Sequence, residues 1–561
     1  MNKKPPFINH INDEWVIKNL KSMSLDQKIG QLFQVACFSN RDESHTIEVL
    51  ELIKNYHLGG LTFFQGNAVT QANLTNQYQA ASKVPLFINI DAEWGLGMRL
   101  TGCTTFPYQM ALGAIQDDDL IYQMGKQIAQ DCKRLGVCSP LAPVVDVNNN
   151  PKNPVINYRS FGENKELVAE KGLAYMKGLQ SEKVLDNAKH FPGHGDTSID
   201  SHLSLPILSQ TDARLKSLEL YPFQKLMEEG LSSVMTAHLS VPAWEEKEGI
   251  PTTLSEKVLS NILFDDLGFE GLVITDAMDM QGITNTFKNG DADLKAILAG
   301  NHIITNSESV PLGFQKIKEA IEKGIWSEEQ LDQAVTKLLA MKKWVGLDQY
   351  QPIQLEGLEK DLHSKASYAL NEKLVKATIT QIGLSPHTKL VGKKEIAFLQ
   401  IKNQTKTISE RDKVAHHLKQ INVEEEDFLK NACAEYGDFY QWNSDQDEND
   451  LYDLLCKLNS YREVYVSIHG INIKPFNHFD IHRVVRKSLV SGLGDTEITL
   501  LHFGNAYALD ELEGIEKVDH IFVAYQDGKY QQQAVFDALL GAKTTGKLPI
   551  STRYYRQGEG Y

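Results

Sequence analysis

The feature that most constrains the fold of this chain is an alternation that continues for more than half its length. From about residue 20 to residue 345, short apolar runs alternate with amphipathic helical stretches. The runs include Leu58–Phe64, Pro85–Ile90, Ala142–Val147, Ser233–Ala237, Gly271–Thr275 and His302–Thr305. Several are apolar almost throughout, as strands buried on both faces of a parallel sheet are. Helical stretches such as Asp118–Leu135, Lys165–Leu179 and Arg214–Glu229 lie between them. Repeated βα units of this kind indicate an α/β domain, either a barrel or an open doubly wound sheet.

Polar residues separate the two. Asp91, Asp146, His190, His238 and Asp276 each stand at or just after a strand-like run. In a barrel all such ends converge on one face, whereas an open sheet gathers only those near its switch point. The prediction is therefore a (β/α)8 TIM-type barrel over residues 10–350, with its last helix near Glu328–Val345. A segment with little strand character, Gln351–Leu358, leads into a helix near Lys365–Thr380, and residues 351–375 read as a linker. A second set of runs, Ile396–Ile401, Glu463–Ile468, Glu497–His502 and His520–Ala524, predicts a smaller α/β sandwich domain over residues 376–561. Glu424–Asp427 and Asp445–Asp450 read as its acidic surface turns.

Charge narrows the partners. A net charge of -16 opposes nucleic acid, whose phosphates need a basic face, and anionic membranes equally. A neutral or weakly charged substrate suits it better. The six cysteines contain no C-x-x-C pair and read as free, mostly buried thiols. No run of 18 apolar residues exists, so no membrane-spanning helix is expected. Met1–Trp15 is polar and lacks the apolar core of a signal peptide, which fits either a cytoplasmic or a trimmed exported chain.

The densest polar cluster is KHFPGHGDTSIDSH, Lys189–His202, with three histidines, two aspartates and a lysine among small residues. Such a loop buries little apolar surface to offset its ordering entropy, which argues for a use. Three readings of the residues stand open. It is a structural loop, or a metal site with His190, His194, Asp196, Asp200 and His202 as ligands, or an acid/base pair formed by Asp200 and His202. No recognised ligand motif accompanies the metal reading. In the acid/base reading, a carboxylate on one imidazole nitrogen fixes the tautomer and raises the basicity of the other.

The string KHFPGHGDTSIDSHLSLP resembles the signature of family 3 glycoside hydrolases, in their N-acetylglucosaminidase branch, which includes peptidoglycan-recycling enzymes. Asp91–Gly95 (DAEWG), Ala142–Asn148 (APVVDVN), Arg159–Glu163 (RSFGE) and Leu272–Met278 (LVITDAM) match in the right order, and Gly541–Thr552 resembles the end of the family's second domain. The resemblance implies Asp276 as nucleophile, His202 as acid/base oriented by Asp200, and Asp91, Arg159, Lys189 and His190 as sugar-binding residues. It implies no metal and no cofactor. One departure is Trp94, where many members of the branch have glycine. The implied activity is that of a retaining, exo-acting β-N-acetylglucosaminidase acting on peptidoglycan fragments or chitin-type oligosaccharides through a covalent glycosyl-enzyme. Asp276 must then stay ionised, with Lys189 or Arg159 as cations able to depress its pKa. The alternatives are a β-glucosidase of the same fold, a metal-dependent hydrolase using the His/Asp loop, and a carbohydrate-binding protein without catalysis.

Overall fold

The computed structural model describes residues 2–201, 204–387, 389–391, 395–404 and 428–561. It contains two compact units. One comprises residues 1–105, 121–147 and 168–368; the other gathers 106–120, 148–167 and 369–561.

In the first unit, four parallel strands lie in the order Phe87–Ile90, Gly60–Phe63, Phe33–Cys37, Ile304–Thr305. Three more, Ala188–Phe191, Ser233–Thr236 and Leu272–Thr275, form a second parallel sheet. Single parallel bridges join Asn89 to Ser139, Val144 to Lys189 and Ile274 to Ile303. Nearly every strand residue here is buried, in keeping with apolar runs covered on both faces.

Three local expectations change. The run Ala142–Val147 meets its neighbour only at the Val144 bridge. Pro140 and Pro143 remove two donors from the row that a regular ladder needs. The helix expected over Arg214–Glu229 is two helices, Asp212–Ser217 and Leu220–Glu228. Pro222 has no N–H to give the Leu218 carbonyl, so one continuous helix cannot pass that point. The strand Phe33–Cys37 escapes a search for apolar runs because Gln34 interrupts it. Gln34 is nevertheless buried, and its Oε1 accepts Asn89 Nδ2 at 2.5 Å.

The second unit is built on a six-stranded sheet in the order Thr380–Ile382, His520–Val523, Glu497–His502, Glu463–His469, Ile396–Lys402, Asp438–Asn443. All pairings are parallel except that of Thr380–Ile382 with its neighbour. Side-chain alternation sends Ala397, Leu399, Val464, Val466 and Leu500 to one core and Phe398, Tyr465, Leu501 and Phe522 to another. Helices Glu448–Leu458 and Arg483–Gly492 cover the first face, and Lys365–Thr378 and Lys529–Leu539 the second. The two edge strands lacked a signal: Asp438–Asn443 is mostly polar and Thr380–Ile382 has three residues.

Of the acidic turns, Glu424–Asp427 lies outside the described residues, and Asp447 caps the helix Glu448–Leu458 by accepting Asn449 N. All six cysteines are free, five of them buried. Among the described residues no helix is long and apolar enough to cross a membrane.

Phe522 is 1 % exposed in the second core, so Phe522→Ala should destabilise the protein by about 3–5 kcal/mol in urea titrations. Ile47→Ala, at a side chain 50 % exposed, should stay within about 0.5 kcal/mol.

Candidate active site

The hydrogen-bond ladder of the first unit continues past its strand ends and sets the functional residues side by side. Ala92 N donates to Pro140 O, Val145 N to Lys189 O, Ala237 N to Phe191 O, Asp276 N to Thr236 O and Met278 N to Thr305 O. Asp91, Asp146, Lys189–His190, His238 and Asp276 thus follow one another along the carboxyl ends of neighbouring segments.

Lys189 is 1 % exposed and its ammonium sits between two carboxylates. Nζ lies 2.9 Å from Asp91 Oδ1 and 2.9 Å from Glu93 Oε1. Arg99 Nη2 reaches the second oxygen of Asp91 at 2.5 Å. Burial alone would raise the Asp91 carboxyl, but the Lys189 and Arg99 charges outweigh it and hold the group well below the usual carboxylate range. Glu93 and Arg99 were not anticipated as site residues. Glu93 was inside the DAEWG stretch, whereas nothing in the sequence marked Arg99. Trp94, the departure from the branch pattern, is buried at 3 % exposure.

Asp146 is fully buried and organises the motif loop. It accepts His190 N at 3.1 Å, His194 N at 2.7 Å and pairs with His190 Nδ1 at 2.8 Å. Burial opposes its ionisation, but the two histidines beside it hold its carboxyl below the ordinary value. The loop can sit this close because Gly195 has no Cβ: one would lie 1.7 Å from the Val147 carbonyl oxygen. The Lys189–His190 and Phe191–Pro192 peptide bonds are cis.

Further along the loop, His194 Nδ1 meets Thr197 Oγ1 at 2.8 Å and its Nε2 meets Ser201 Oγ at 3.0 Å. Asp196 accepts Gln210 Nε2 at 2.6 Å. Asp200 is half-buried and its carbonyl accepts Ser204 N. His202, the expected acid/base, lies outside the described residues. Asp276 is half-buried at the end of Leu272–Thr275, its Oδ1 accepting Ala277 N at 2.8 Å. His238 is fully buried behind it, with Nε2 donating to Ala277 O at 2.9 Å and Nδ1 on the Thr253 hydroxyl at 2.8 Å.

The structure therefore pairs Asp91 with Lys189 and places His190 and Asp276 on the same row of strand ends. Arg159 belongs to the second unit, in the short turn Asn157–Arg159. That segment is tied down within its own unit: Asn505 Nδ2 donates to Asn157 Oδ1 at 2.6 Å, Tyr507 Oη to Asn148 O at 3.2 Å and Ser551 Oγ to Glu163 Oε1 at 2.5 Å. Among the described residues no three of His, Cys, Asp and Glu are grouped to hold a metal ion. The first unit thus presents ionised carboxylates, an ammonium and imidazoles along one row of strand ends, groups suited to a polyhydroxylated ligand.

Residues 24–341 match the family model described as the glycosyl hydrolase family 3 N terminal domain, and the chain belongs to that family. A protein named β-hexosaminidase A from Pseudoalteromonas piscicida is 34 % identical over 362 residues, 57 % of this chain and 60 % of its own length. A Cellulomonas fimi protein named β-N-acetylglucosaminidase/β-glucosidase is 27 % identical over 380 residues, 66 % of this chain and 67 % of its own. Among solved structures, a family 3 β-N-acetylglucosaminidase from Paenibacillus sp. FPU-7 superposes with a TM-score of 0.79 at 29 % identity, covering 94 % of this chain and 99 % of that one. Family membership places the chain among the family 3 glycoside hydrolases, and its α/β fold is shared with the solved Paenibacillus relative.

The buried His194 makes a contribution of definite sign to acid stability. Burial first, then the neighbouring His190, pushes its imidazole down to about 4, while Asp146 and Asp276 act in the opposite direction. The unfolded chain, near 6.5, binds the proton more readily, so this contribution is fully present above pH 6.5 and is lost as pH falls towards 4. Urea midpoints measured across that window should fall less steeply for His194→Gln than for the parent, by up to about 3 kcal/mol at the acid end.

Proposed function

We propose that the chain is a retaining, exo-acting β-N-acetylglucosaminidase whose chemistry sits on a closed (β/α)8 barrel. The carrying observation is the row of strand ends. Asp276 follows Leu272–Thr275, Asp91 follows Phe87–Ile90, and Lys189, inside the strand Ala188–Phe191, pairs with Asp91. The bridges at Ser139, Val144 and Ile303 support closure of the barrel within residues 10–350. Residues 351–375 then act as a linker to a second domain over 376–561. The names of the relatives support the N-acetylglucosaminyl specificity.

In this reading Asp276 attacks the anomeric carbon and expels the leaving oxygen, which takes a proton from His202. Asp200 orients that imidazole. Water, deprotonated by the now neutral His202, then opens the covalent glycosyl-enzyme with net retention. Asp91 accepts from sugar hydroxyls, and Lys189 and His190 donate to the sugar. Terminal N-acetylglucosamine on peptidoglycan fragments or chitin-type oligosaccharides is the substrate class. No step uses a metal or cofactor. The Cellulomonas fimi relative's name favours one second reading, β-glucosidase activity alongside, which parallel nitrophenyl N-acetylglucosaminide and glucoside assays resolve.

Asp276→Ala should abolish turnover of every substrate, and substantial activity remaining on nitrophenyl N-acetylglucosaminide would refute its role as nucleophile. His202→Ala should cost about 10²–10⁴-fold on a disaccharide and far less on the nitrophenyl substrate, whose leaving group needs little protonation.

An NMR time course on a β-linked substrate should show the β-anomer of N-acetylglucosamine first. Initial release of the α-anomer would mean inversion.

A further inference from the structure

Asp91, the proposed acceptor for the sugar, has two aromatic neighbours at its level of the sheet. Cys37 pairs with Phe63 and Phe63 with Ile90, so the next residues, Phe38, Phe64 and Asp91, stand level after three neighbouring strands. Phe38 and Phe64 are half-buried, and their rings stack with centroids 5.2 Å apart and planes inclined by 20°. Phe38 is anchored from behind: its N–H donates to His45 Nε2 at 3.2 Å, and the Arg41 guanidinium lies 3.6 Å from its ring centroid.

The stack ends on Arg99. The Arg99 guanidinium carbon lies 5.1 Å from the Phe64 ring centroid, and Nη2 donates to Asp91 Oδ2 at 2.5 Å. Among the described residues this is the side chain's one hydrogen bond, and its buried Nε meets no acceptor. The π face of Phe64, which attracts a cation, is therefore the second contact that fixes the guanidinium. Backbone bonds bring the pieces together, with Ser39 N donating to Gln65 O at 3.2 Å and Gly66 N to Arg99 O at 3.3 Å. Lys189 Nζ holds the other Asp91 oxygen, Oδ1, at 2.9 Å. A carboxylate pinned at one oxygen can still turn about its own bond; Arg99, on the second oxygen, removes that freedom.

We propose that the Phe38–Phe64 pair holds Arg99 against Asp91 and so sets the orientation in which that carboxylate accepts a sugar hydroxyl. Phe64 and Arg99 are positioning residues that act through Asp91. The inference rests on the assignment of Asp91 to sugar binding. Because Asp91 contacts the sugar that is transferred, loss of its support is felt equally whatever the leaving group.

The test measures kcat/KM of Phe64→Leu, Phe64→Tyr and Arg99→Lys on a nitrophenyl N-acetylglucosaminide and on an N-acetylglucosamine disaccharide, in the parent and in an Asp91→Asn background. Phe64→Leu keeps apolar bulk without the π face and should lower kcat/KM about fivefold on both substrates. Phe64→Tyr keeps the face and should stay within about twofold of the parent. Arg99→Lys keeps the charge without the planar fork and should lose at least as much as Phe64→Leu, which keeps the test decisive if the latter folds poorly. In the Asp91→Asn background neither Phe64→Leu nor Arg99→Lys should cost more than about twofold further, because the group they position has been replaced. Losses of the same size in both backgrounds would show that ring and guanidinium act independently of Asp91 and would overturn the proposal. Full activity in Phe64→Leu and Arg99→Lys, or a Phe64→Tyr variant as impaired as Phe64→Leu, would overturn it too. An Asp91→Asn variant as active as the parent would instead overturn the sugar-binding assignment beneath it.

Discussion

Asp146 is a carboxylate with no exposed surface, and such a group is tolerated only when several donors compensate its lost hydration. It finds them in two backbone N–H groups and one ring nitrogen, from His190 in the strand Ala188–Phe191 and from His194 in the loop that follows it. Each bond converts the cost of burying the charge into a constraint on where the loop lies. His190 and His194 are thereby fixed at the strand ends, and Lys189, one residue earlier, is held within reach of Asp91 and Glu93. Replacing Asp146 would leave those donors facing a site with no acceptor, so its influence exceeds that of any single bond it makes.

The charges around Lys189 serve order more than field. One buried ammonium is shared by two carboxylates, and Arg99 supplies a second cation to Asp91. Asp91 is therefore ionised under all ordinary conditions and remains an acceptor. Its side chain keeps 19 % of its surface open, against 2 % for Lys189, so the acceptor is the more accessible partner of the pair. A ligand with hydroxyls gains directed hydrogen bonds there rather than a strong net attraction, consistent with a neutral sugar and an acidic protein.

The second unit has a core on each face of its sheet and also gathers the short segments 106–120 and 148–167. Asn505, Tyr507 and Ser551 each bond to the stretch that carries Arg159, so the conformation of that stretch is set by residues more than 300 positions away in sequence. Met110 and Ala111 likewise pack into the sheet's first core. This division of the chain was invisible to a linear reading, which places all residues before the linker in one domain.

Sequence alone determined the alternation of strands and helices, the second sheet, the free cysteines and the family. Those properties are local or compositional: an apolar run, a helical period and an ordered string of motif residues need no knowledge of what they face. It also marked Asp91, His190 and Asp276, because reactive groups at strand ends stand out against apolar runs. The tertiary structure decided the rest. The strand Phe33–Cys37 depends on Gln34 finding Asn89 across the sheet. The partners of Asp146 and His238 turned on which donors and acceptors folding brought to them. Arg99 became part of the site only because a turn folds its guanidinium back onto Asp91. Burial and long-range hydrogen bonding are pairwise properties of the folded chain, and no single stretch of residues encodes both halves of a pair.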